Sequence, residues 1–433
     1  MALALCLTLL PATALAADVG HSTHPICDGQ TCSHTGSNGT KKHPDDAFQS
    51  AKWLASLNGE LRVQKSSTST YGEGLSTEDN YFILKPGYYY LSTTAEDRND
   101  SYVASSKTIK IQGDVTICLN GKEIQRVGTT TGPVFEVPSG STLTLTNCTG
   151  NGQITGGSYG SGVYVDGGTL NLYSGQITKS YGQTDDKSNK YGGGVYMNSG
   201  NFNMYGGHIT GNSNAYYGGG VYVKSGTFTM DGGDITGNSA SYAGGAGVYV
   251  EKSGKFIMNN DAKVTDNTIG YGSTGGAGVY VNGGTFEMYG NASVTGNTAN
   301  NGSGSCGGGV YVDMRGTFEM NDNASVTDNK AKNGNSTPPL TGGGVYVNSG
   351  TFEMNGNSKV TGNAAYNKIS GKGDGGGVYV DTKGTFNMYG DATSVSNNTA
   401  TGSGGGVYVG GAFTVAGSPT VMGNKVGAAD NNV

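Results

Sequence analysis

The stretch GVYVNSGTFEMNGNSKVTGN, residues 344–363, contains the three short words from which most of this chain is built. Within these words an apolar core residue stands at every second position, as at Val345 and Val347 and again at Phe352 and Met354. Alternation with a period of two is typical of a β-strand that buries one face. Clusters of Gly, Asn and Ser separate the words and indicate turns. One unit therefore predicts three short strands joined by tight turns.

Variants of this unit recur nine times between Val163 and Val415, and their tyrosines are spaced by 26 to 35 residues. Such a period is typical of a solenoid, in which each unit is too small to bury its own apolar face and stacks on its neighbours. The sequence therefore predicts an all-β solenoid with three short strands per coil and about ten full coils. The tyrosines of the first word are Tyr164, Tyr196, Tyr222, Tyr249, Tyr280, Tyr311, Tyr346, Tyr379 and Tyr408.

The composition favours a regular fold over a disordered chain. Glycine accounts for 79 of 433 residues and charged residues for only 13%, against about a quarter in ordinary soluble domains. Glycine supplies turn positions with positive φ, and the Val, Phe and Met at fixed offsets supply a core. The net charge is −6 and no basic stripe interrupts the repeats, which argues against a nucleic-acid partner.

Three regions follow from the pattern. Residues 1–17 are apolar and end in small residues, as a secretory signal peptide does, but the basic residues that should precede the apolar core are missing or truncated. Residues 18–79 are a small Cys- and His-containing segment and linker, in which the part from Asp45 to Leu61 favours a short helix. Residues 80–433 form the solenoid, which we expect to be incomplete at its C-terminus. No later stretch reaches the about 20 apolar residues of a membrane helix, so we expect a secreted or cell-surface protein.

The repeated words resemble those of the right-handed parallel β-helix proteins of the pectin-lyase-like superfamily, particularly bacterial surface proteins built from G-G-[AG]-[IV] and T-G-N words. They are also similar, more distantly, to the passengers of polymorphic outer-membrane proteins and autotransporters. The resemblance covers about residues 80–433 and implies a right-handed parallel β-helix. It implies no single function, because the superfamily includes polysaccharide lyases and hydrolases beside non-enzymatic adhesins.

The residues that the enzymes of this superfamily use are not found together here. A glycan-cleaving site needs acid and base groups paired at one place, yet the sequence has no Gly-His-Gly, and His208 falls at an ordinary outward strand position. The charged residues of the run from Asp313 to Arg315 are typical of solvent-exposed side chains on a strand. We therefore expect a non-enzymatic stalk or adhesin-like module that binds a glycan or a host or cell-surface protein. The alternative is a polysaccharide lyase, hydrolase or carbohydrate-binding module.

The tyrosines suggest where such a module would bind. Because both neighbours of each tyrosine point to the core, alternation turns the phenol outward, and stacking at about 4.8 Å places nine phenols in one column. Two interpretations stay open, namely aromatic contacts that stabilise the sheet by about 0.2 to 1 kcal/mol per pair and an exposed binding platform. The polar residues that flank the column are Asp166, Asn198, Asn282, Asp313, Asn348 and Asp381.

The loops of variable length lie mainly between the V-T-G-N word and the next G-V-Y-V word, the longest running from Lys330 to Thr341. We expect all of them along one edge of the solenoid, where repeat proteins often carry their binding surface.

Two further columns follow from the period. Asparagine tolerates left-handed backbone and its amide reaches the next coil, so the asparagines that end the third word predict a structural ladder. These are Asn212, Asn238, Asn267, Asn297, Asn329, Asn363, Asn398 and Asn424. Glu287, Glu319 and Glu353 share one position on consecutive coils, where like charges in register are destabilising. Solvent screening and a bound Ca²⁺ ion, which prefers hard oxygen ligands, both account for this arrangement.

The N-terminal segment contains ligand types that suit a structural Zn²⁺ ion, although their spacing is not that of a usual zinc finger. They are His24, Cys27, Cys32 and His34. A disulfide between the two cysteines explains them equally well in an exported protein. Cys118 and Cys148 lie near one coil period apart, which is compatible with a disulfide or with two buried thiols. No other cofactor is predicted.

Overall fold

The computed structural model of this chain describes residues 52–57, 60–64, 73–78, 80–91, 102–127, 131–147, 151–157, 160–184, 190–213, 216–241, 244–270, 274–300, 306–333, 340–367 and 371–433. All regular elements in these ranges are β-strands, and most pair in parallel with the corresponding strand of the next turn. They form a parallel β-solenoid of about ten turns. The prediction of an all-β parallel β-helix is therefore confirmed.

The V-Y-V word of each turn forms the first strand, and these strands make up the tyrosine sheet. Its register aligns like with like, since Tyr280 pairs with Tyr311 and Tyr311 with Tyr346. The strands that belong to this sheet alone are Tyr81–Leu84, Thr108–Ile111, Phe135–Pro138, Val279–Asn282, Val310–Asp313, Val345–Val347, Val378–Val380 and Val407–Val409.

The T-F-x-M word forms the second strand, and these strands make up the phenylalanine sheet. Its separate strands are Gly87–Leu91, Asp114–Cys118, Thr142–Thr146, Thr285–Met288, Thr317–Met320, Thr351–Met354, Thr385–Tyr389 and Ala412–Ala416. In four turns the first and second strands continue into each other, which joins the two sheets. These long strands are Val163–Leu172, Val195–Met204, Val221–Met230 and Val248–Met258.

The V-T-G-N word forms the third strand, as predicted. The third sheet contains Tyr102–Ser105, Glu123–Arg126, Gln153–Gly157, Gln176–Ser180, His208–Thr210, Asp234–Thr236, Lys263–Thr265, Ser293–Thr295, Ser325–Thr327, Lys359–Thr361, Ser394–Ser396 and Thr420–Met422. The asparagine that follows each of the later strands turns the chain back towards the tyrosine sheet.

A fourth sheet of shorter strands was not predicted. It lies just after the asparagines, at the beginning of the variable loops, and consists of Ser239–Ala240, Thr268–Ile269, Thr298–Asn300, Lys330–Asn333, Ala364–Asn367, Thr399–Ala400, Lys425–Val426 and Ala429–Asp430. Three small pairs complete the described strands: Gln183–Thr184 with Lys190–Tyr191, Gly275–Gly276 with Cys306–Gly307, and Leu340–Thr341 with Gly373–Asp374.

The short helix expected between Asp45 and Leu61 is wrong for the part that is described. Residues 52–57 form the strand Lys52–Leu57, which pairs in parallel with Gly87–Leu91 and antiparallel with Glu60–Gln64. Leu54 and Leu61 are buried in the same core as the first turns, and this tertiary burial outweighs local helix propensity. The solenoid sheet therefore begins upstream of residue 80. Two short strands, Glu73–Gly74 and Thr77–Glu78, continue the antiparallel pairing.

The core has the predicted composition. From the turn at Val221 to the turn at Val378, the valines of the first strand, the Phe and Met of the second, and the Ile or Val of the third are fully buried. The phenylalanine rings from Phe202 to Phe413 form a continuous stack with centroids 4.4 to 5.0 Å apart and planes within 13° of parallel. Offset stacking at this distance is favourable for aromatic rings, so the stack holds the turns in register.

Candidate functional site

The nine tyrosines of the first word form the predicted column on the outer side of their sheet. Centroids of consecutive rings lie 4.5 to 5.3 Å apart. The rings cluster with one another and not with the main core. The column is therefore a second aromatic spine that runs parallel to the phenylalanine stack.

The expectation that these phenols face water is wrong in the middle of the column. The rings of Tyr222, Tyr249, Tyr280, Tyr311 and Tyr346 expose only 2 to 8% of their surface. The four tyrosines nearer the ends, Tyr164, Tyr196, Tyr379 and Tyr408, are half-buried.

The glycine runs that open each turn lie against the base of the column. Gly342 and Gly375 have positive φ, and a Cβ at either position would come within 2.7 to 2.8 Å of the Cβ of the tyrosine four residues later. Only glycine allows the backbone to pass this close to the column. Tyr191 and Tyr217 add a second aromatic layer, with centroids 4.9 Å from Tyr222 and 5.1 Å from Tyr249 respectively.

The phenol hydroxyls of alternate turns donate to carboxylates on the following turn. Tyr222 bonds to Glu251 at 3.1 Å and Tyr346 to Asp381 at 2.7 Å. Between the acidic turns the same position holds an amide, as at Asn282, whose Nδ2 donates to Glu251 at 3.3 Å. The acids are thus separated by a neutral turn, which avoids like charges in register. Sequence analysis named most of this row but missed Glu251.

Asp313 shows that these acids act as structural acceptors. Its carboxylate accepts hydrogen bonds from the Tyr280 hydroxyl at 3.3 Å, from Asn348 Nδ2 and Ser349 Oγ at 2.8 Å each, and from the Met314 N–H at 2.7 Å. Such a carboxylate organises the turn around it, and its lone pairs are already engaged.

Burial also moves the titration of the phenols further above physiological pH. It raises the pKa of Tyr222, Tyr249 and Tyr280 above the ordinary value of 10.0, and nearby carboxylates add to the rise. For Tyr379, burial and then Asp381 raise the pKa to about 12. The phenols therefore remain neutral donors at physiological pH, which suits a structural spine.

The predicted asparagine ladder is confirmed. From Asn212 to Asn398, each Nδ2 donates to the Oδ1 of the next asparagine at 2.9 to 3.0 Å and to a carbonyl of the preceding turn. Each Oδ1 also accepts a backbone N–H from the turn before. The ladder begins at the Ser180 N–H and ends on Asn432 Oδ1. Buried amides are thus paired throughout, as burial of polar groups requires.

Glu287, Glu319 and Glu353 lie in register on the phenylalanine sheet, as predicted. Lys255 lies 2.7 Å from Glu287 at one end, and Asn387 donates to Glu353 at 3.1 Å at the other. Burial, followed by the charges of the two flanking glutamates, raises the pKa of Glu319. Like charges therefore repel within this row.

The geometry of this row does not favour a bound Ca²⁺ ion, which sequence analysis offered beside solvent screening as an explanation of it. Across the described ranges, no group of three or more His, Cys, Asp or Glu side chains is placed to hold a metal ion. The physical reason is the register, because one carboxylate per strand gives a straight row with steps of about 4.8 Å. Calcium needs six to eight oxygens that surround it.

The zinc ligands predicted at His24, Cys27, Cys32 and His34 lie outside the described residues, as do Cys148 and the signal peptide. Cys118 is buried.

His208 does point outward from the third sheet, but sequence reasoning missed its partner. Its Nδ1 contacts the carboxylate of Asp234, which holds the same position on the next turn. That hydrogen bond raises the pKa of His208. The available signal was the repetition of H-I-T as D-I-T one period later.

The fourth sheet has a groove of about 380 Å³ on its outer face. Side chains that line it include Lys330, Lys332, Tyr366, Thr399 and Thr401. Tyr366 is 47% exposed, unlike the tyrosines at the centre of the column. No sequence signal indicated the groove, because it depends on the pairing of strands that sequence analysis did not recognise.

Comparison with known proteins found no match to any protein family, no similar curated protein and no similar solved structure. In the parts of the chain that the structure describes, no helix has the length and apolar character needed to span a membrane.

Proposed function

We propose that this protein is a non-enzymatic extracellular or cell-surface module, a rigid β-helical stalk of adhesin type that presents one loop-bearing edge to a glycan or protein. Its relationship to the right-handed β-helices of the pectin-lyase-like superfamily, and to bacterial surface proteins among them, is part of this proposal. The observation that carries it is the unbroken register of three parallel columns, formed by Phe, Tyr and Asn side chains.

Rigidity follows from these columns. From the turn that contains Phe202 onward, each turn is tied to the next by ring contacts on two sheets and by buried amide bonds at the corner after the third sheet. A turn cannot tilt without breaking all three contacts at once. Such a structure is suited to holding a binding surface at a distance.

The tyrosine column supports the binding edge in this proposal. The glycine runs that lead out of the variable loops lie against the base of the column, so the column fixes the bases of those loops. A ligand would then contact the loop-bearing edge and the half-buried tyrosine rings near the ends of the column.

The proposal is tested with the full chain on a glycan array, on cell-surface protein extracts and in polysaccharide-cleavage assays. We expect saturable binding to one ligand class and no release of reducing ends or unsaturated sugars. Turnover of any polysaccharide would overturn the non-enzymatic assignment in favour of a lyase or hydrolase.

Location needs a separate experiment. Protease accessibility on intact producing cells should show the chain outside the membrane, and removal of residues 1–17 should retain it inside. Export that is unaffected by this deletion would contradict the assigned signal peptide.

A further inference from the structure

The groove on the fourth sheet is built from two rows of outward side chains. In the first row, Lys330 pairs with Ala364 and Ala364 with Thr399 on three successive strands. With about 4.8 Å per step, Lys330 and Thr399 lie about 10 Å apart. That span leaves room for a short chain of sugar residues along the row.

The second row supplies an aromatic face. Lys332 pairs with Tyr366, and Thr401 follows on the next strand. The floor between the rows is made of small residues, including Ala365 and Ala400. The ring of Tyr366 therefore lies at the side of a shallow groove. An exposed aromatic ring offers a flat apolar surface together with a polar hydroxyl.

The groove is cationic although the chain carries a net charge of −6. None of its lining residues is acidic. The ion pairs found among the described residues involve Lys110, His208 and Lys255, so the ammonium groups of Lys330 and Lys332 form no ion pair with a carboxylate there. A ligand that places anionic groups along this row would complement them.

Thr401 adds an oriented donor. Its Oγ1 accepts the N–H groups of Asn367 and Gly373, each at 3.1 Å. A hydroxyl has two acceptor sites and one donor. With both acceptor sites used by backbone, the O–H remains to donate to a ligand oxygen.

A peptide strand does not fit this site. The strand Ala364–Asn367 is paired in parallel on both sides, to Lys330–Asn333 and to Thr399–Ala400. No backbone edge faces the groove to which an extended peptide would add. Recognition must use outward side chains, namely a ring, hydroxyls and ammonium groups, which is the chemistry that suits a saccharide.

The geometry points to a binding site for a linear anionic oligosaccharide on the fourth sheet, with a sugar ring packed on Tyr366 and its acidic groups paired with Lys330 and Lys332. This deepens the binding role proposed above and rests on it. The anionic groups are carboxylates or sulfates, and the experiment separates the two.

The probes are a hyaluronan tetrasaccharide, which carries carboxylates, a heparin tetrasaccharide, which adds sulfates, and neutral maltotetraose. Binding to the full chain is measured by calorimetry at two salt concentrations. We expect at least one anionic probe to bind about tenfold more tightly than maltotetraose and to weaken with salt. Tyr366→Ser and the double variant Lys330→Gln/Lys332→Gln should each weaken that binding by about tenfold or more.

Matched controls use the same substitutions on other faces. Tyr205→Ser changes a tyrosine that is 37% exposed, and Lys359→Gln changes an exposed lysine of the third sheet. Both should bind within twofold of the unmodified chain, and melting curves should show all variants folded.

Several results would overturn the inference. Anionic binding that survives the groove substitutions would move the site elsewhere and leave the proposed glycan-binding role intact. Equal affinity for maltotetraose would refute charge recognition, and binding of a poly-glutamate peptide without any saccharide would refute the ligand class. If the full chain binds no glycan at all, both the groove and the glycan part of the proposed function fall.

Discussion

At the scale of the residue, the third position of the V-T-G-N word shows how the repeat tolerates variation. Glycine holds this position with φ of 62 to 68° at Gly237 and Gly296, among others, and Asp266 and Asn397 hold it at 54 and 56°. Asp and Asn are the side chains that enter left-handed backbone most readily after glycine. The word can therefore read T-G-N, T-D-N or S-N-N without a change in the path of the chain.

Ser358 is a buried residue whose hydroxyl lowers the stability of the fold. Its side chain is fully buried, and its hydroxyl has no hydrogen-bond partner, while Ala324 holds the same place one turn earlier. We predict that Ser358→Ala raises the free energy of unfolding by about 1 kcal/mol, because an unsatisfied buried hydroxyl is removed. Chemical denaturation measures the change.

The control for this prediction is Ser141→Ala. Ser141 is also buried, but its Oγ donates to the Ile111 carbonyl and accepts the Gly113 N–H, both at 3.1 Å. Its loss should destabilise the protein by about 1 kcal/mol. If both substitutions shift stability in the same direction, the interpretation of Ser358 is wrong.

At the scale of the element, the tyrosine column is expected to stabilise the sheet. Tyr280 lies 4.8 Å from the rings of both Tyr249 and Tyr311. We predict that Tyr280→Ser lowers the free energy of unfolding by about 3 kcal/mol or more, because it opens a cavity in a buried stack. Tyr280→Phe keeps the stack and loses only a hydrogen bond, so it should cost about 1 kcal/mol.

Tyr366→Ser serves as the comparison for the column, since this ring is half exposed on the fourth sheet. Its stability should stay within about 0.5 kcal/mol of the unmodified chain. Equal losses at Tyr280 and Tyr366 would mean that ring burial does not determine the effect.

The tyrosines also show how far sequence reasoning reaches. Alternation decides whether a side chain points into or out of the coil, and it placed Phe352 inside and Tyr346 outside correctly. It cannot tell how closely the outer face is packed, and the ring of Tyr346 lies 4.7 and 5.1 Å from the rings of Tyr311 and Tyr379. The fourth sheet was missed because strands such as Thr399–Ala400 have only two to four residues, which is too short to show the alternation that identifies a strand.

The glutamate row is an element that weakens the sheet at neutral pH. Because the pKa of Glu319 is raised above its ordinary value of 4.5 in the fold, its carboxylate opposes folding once the pH rises through that pKa, and the protonated form does not. We predict that Glu319→Gln raises the melting temperature at pH 7, by the equivalent of about 0.2 to 1 kcal/mol. At a pH of about 3, below the ordinary range for glutamate, the two proteins should melt together.

Glu78→Gln is the matched control for the glutamate row, since Glu78 is exposed and lies on a short N-terminal strand. It should change the melting temperature little at either pH. If the Glu319→Gln variant is less stable than the unmodified chain at pH 7, the Glu319 carboxylate makes a favourable contact that outweighs the repulsion within the row.

At the scale of the whole molecule, register makes each turn an interchangeable unit. Val279 pairs with Val310, and Val310 pairs with Val345. The same glycine run precedes two of these strands, since Gly309 stands directly before Val310 and Gly344 directly before Val345. Stability in such a structure is approximately a sum over turns and the interfaces between them.

We predict that deletion of residues 310–344, one complete turn, leaves a folded solenoid. Gly309 would then lead into Val345 as it now leads into Val310, Phe286 would stack on Phe352, and Asn297 would bond to Asn363. Circular dichroism should retain the β-sheet spectrum, and small-angle scattering should show a molecule shorter by about 4.8 Å. Deletion of residues 314–324, about a third of a turn, joins the first strand Val310–Asp313 to the third strand Ser325–Thr327 and should abolish cooperative unfolding. If both deletions fold equally well, the turns are not held by the columns, and the rigidity on which the stalk function depends is lost.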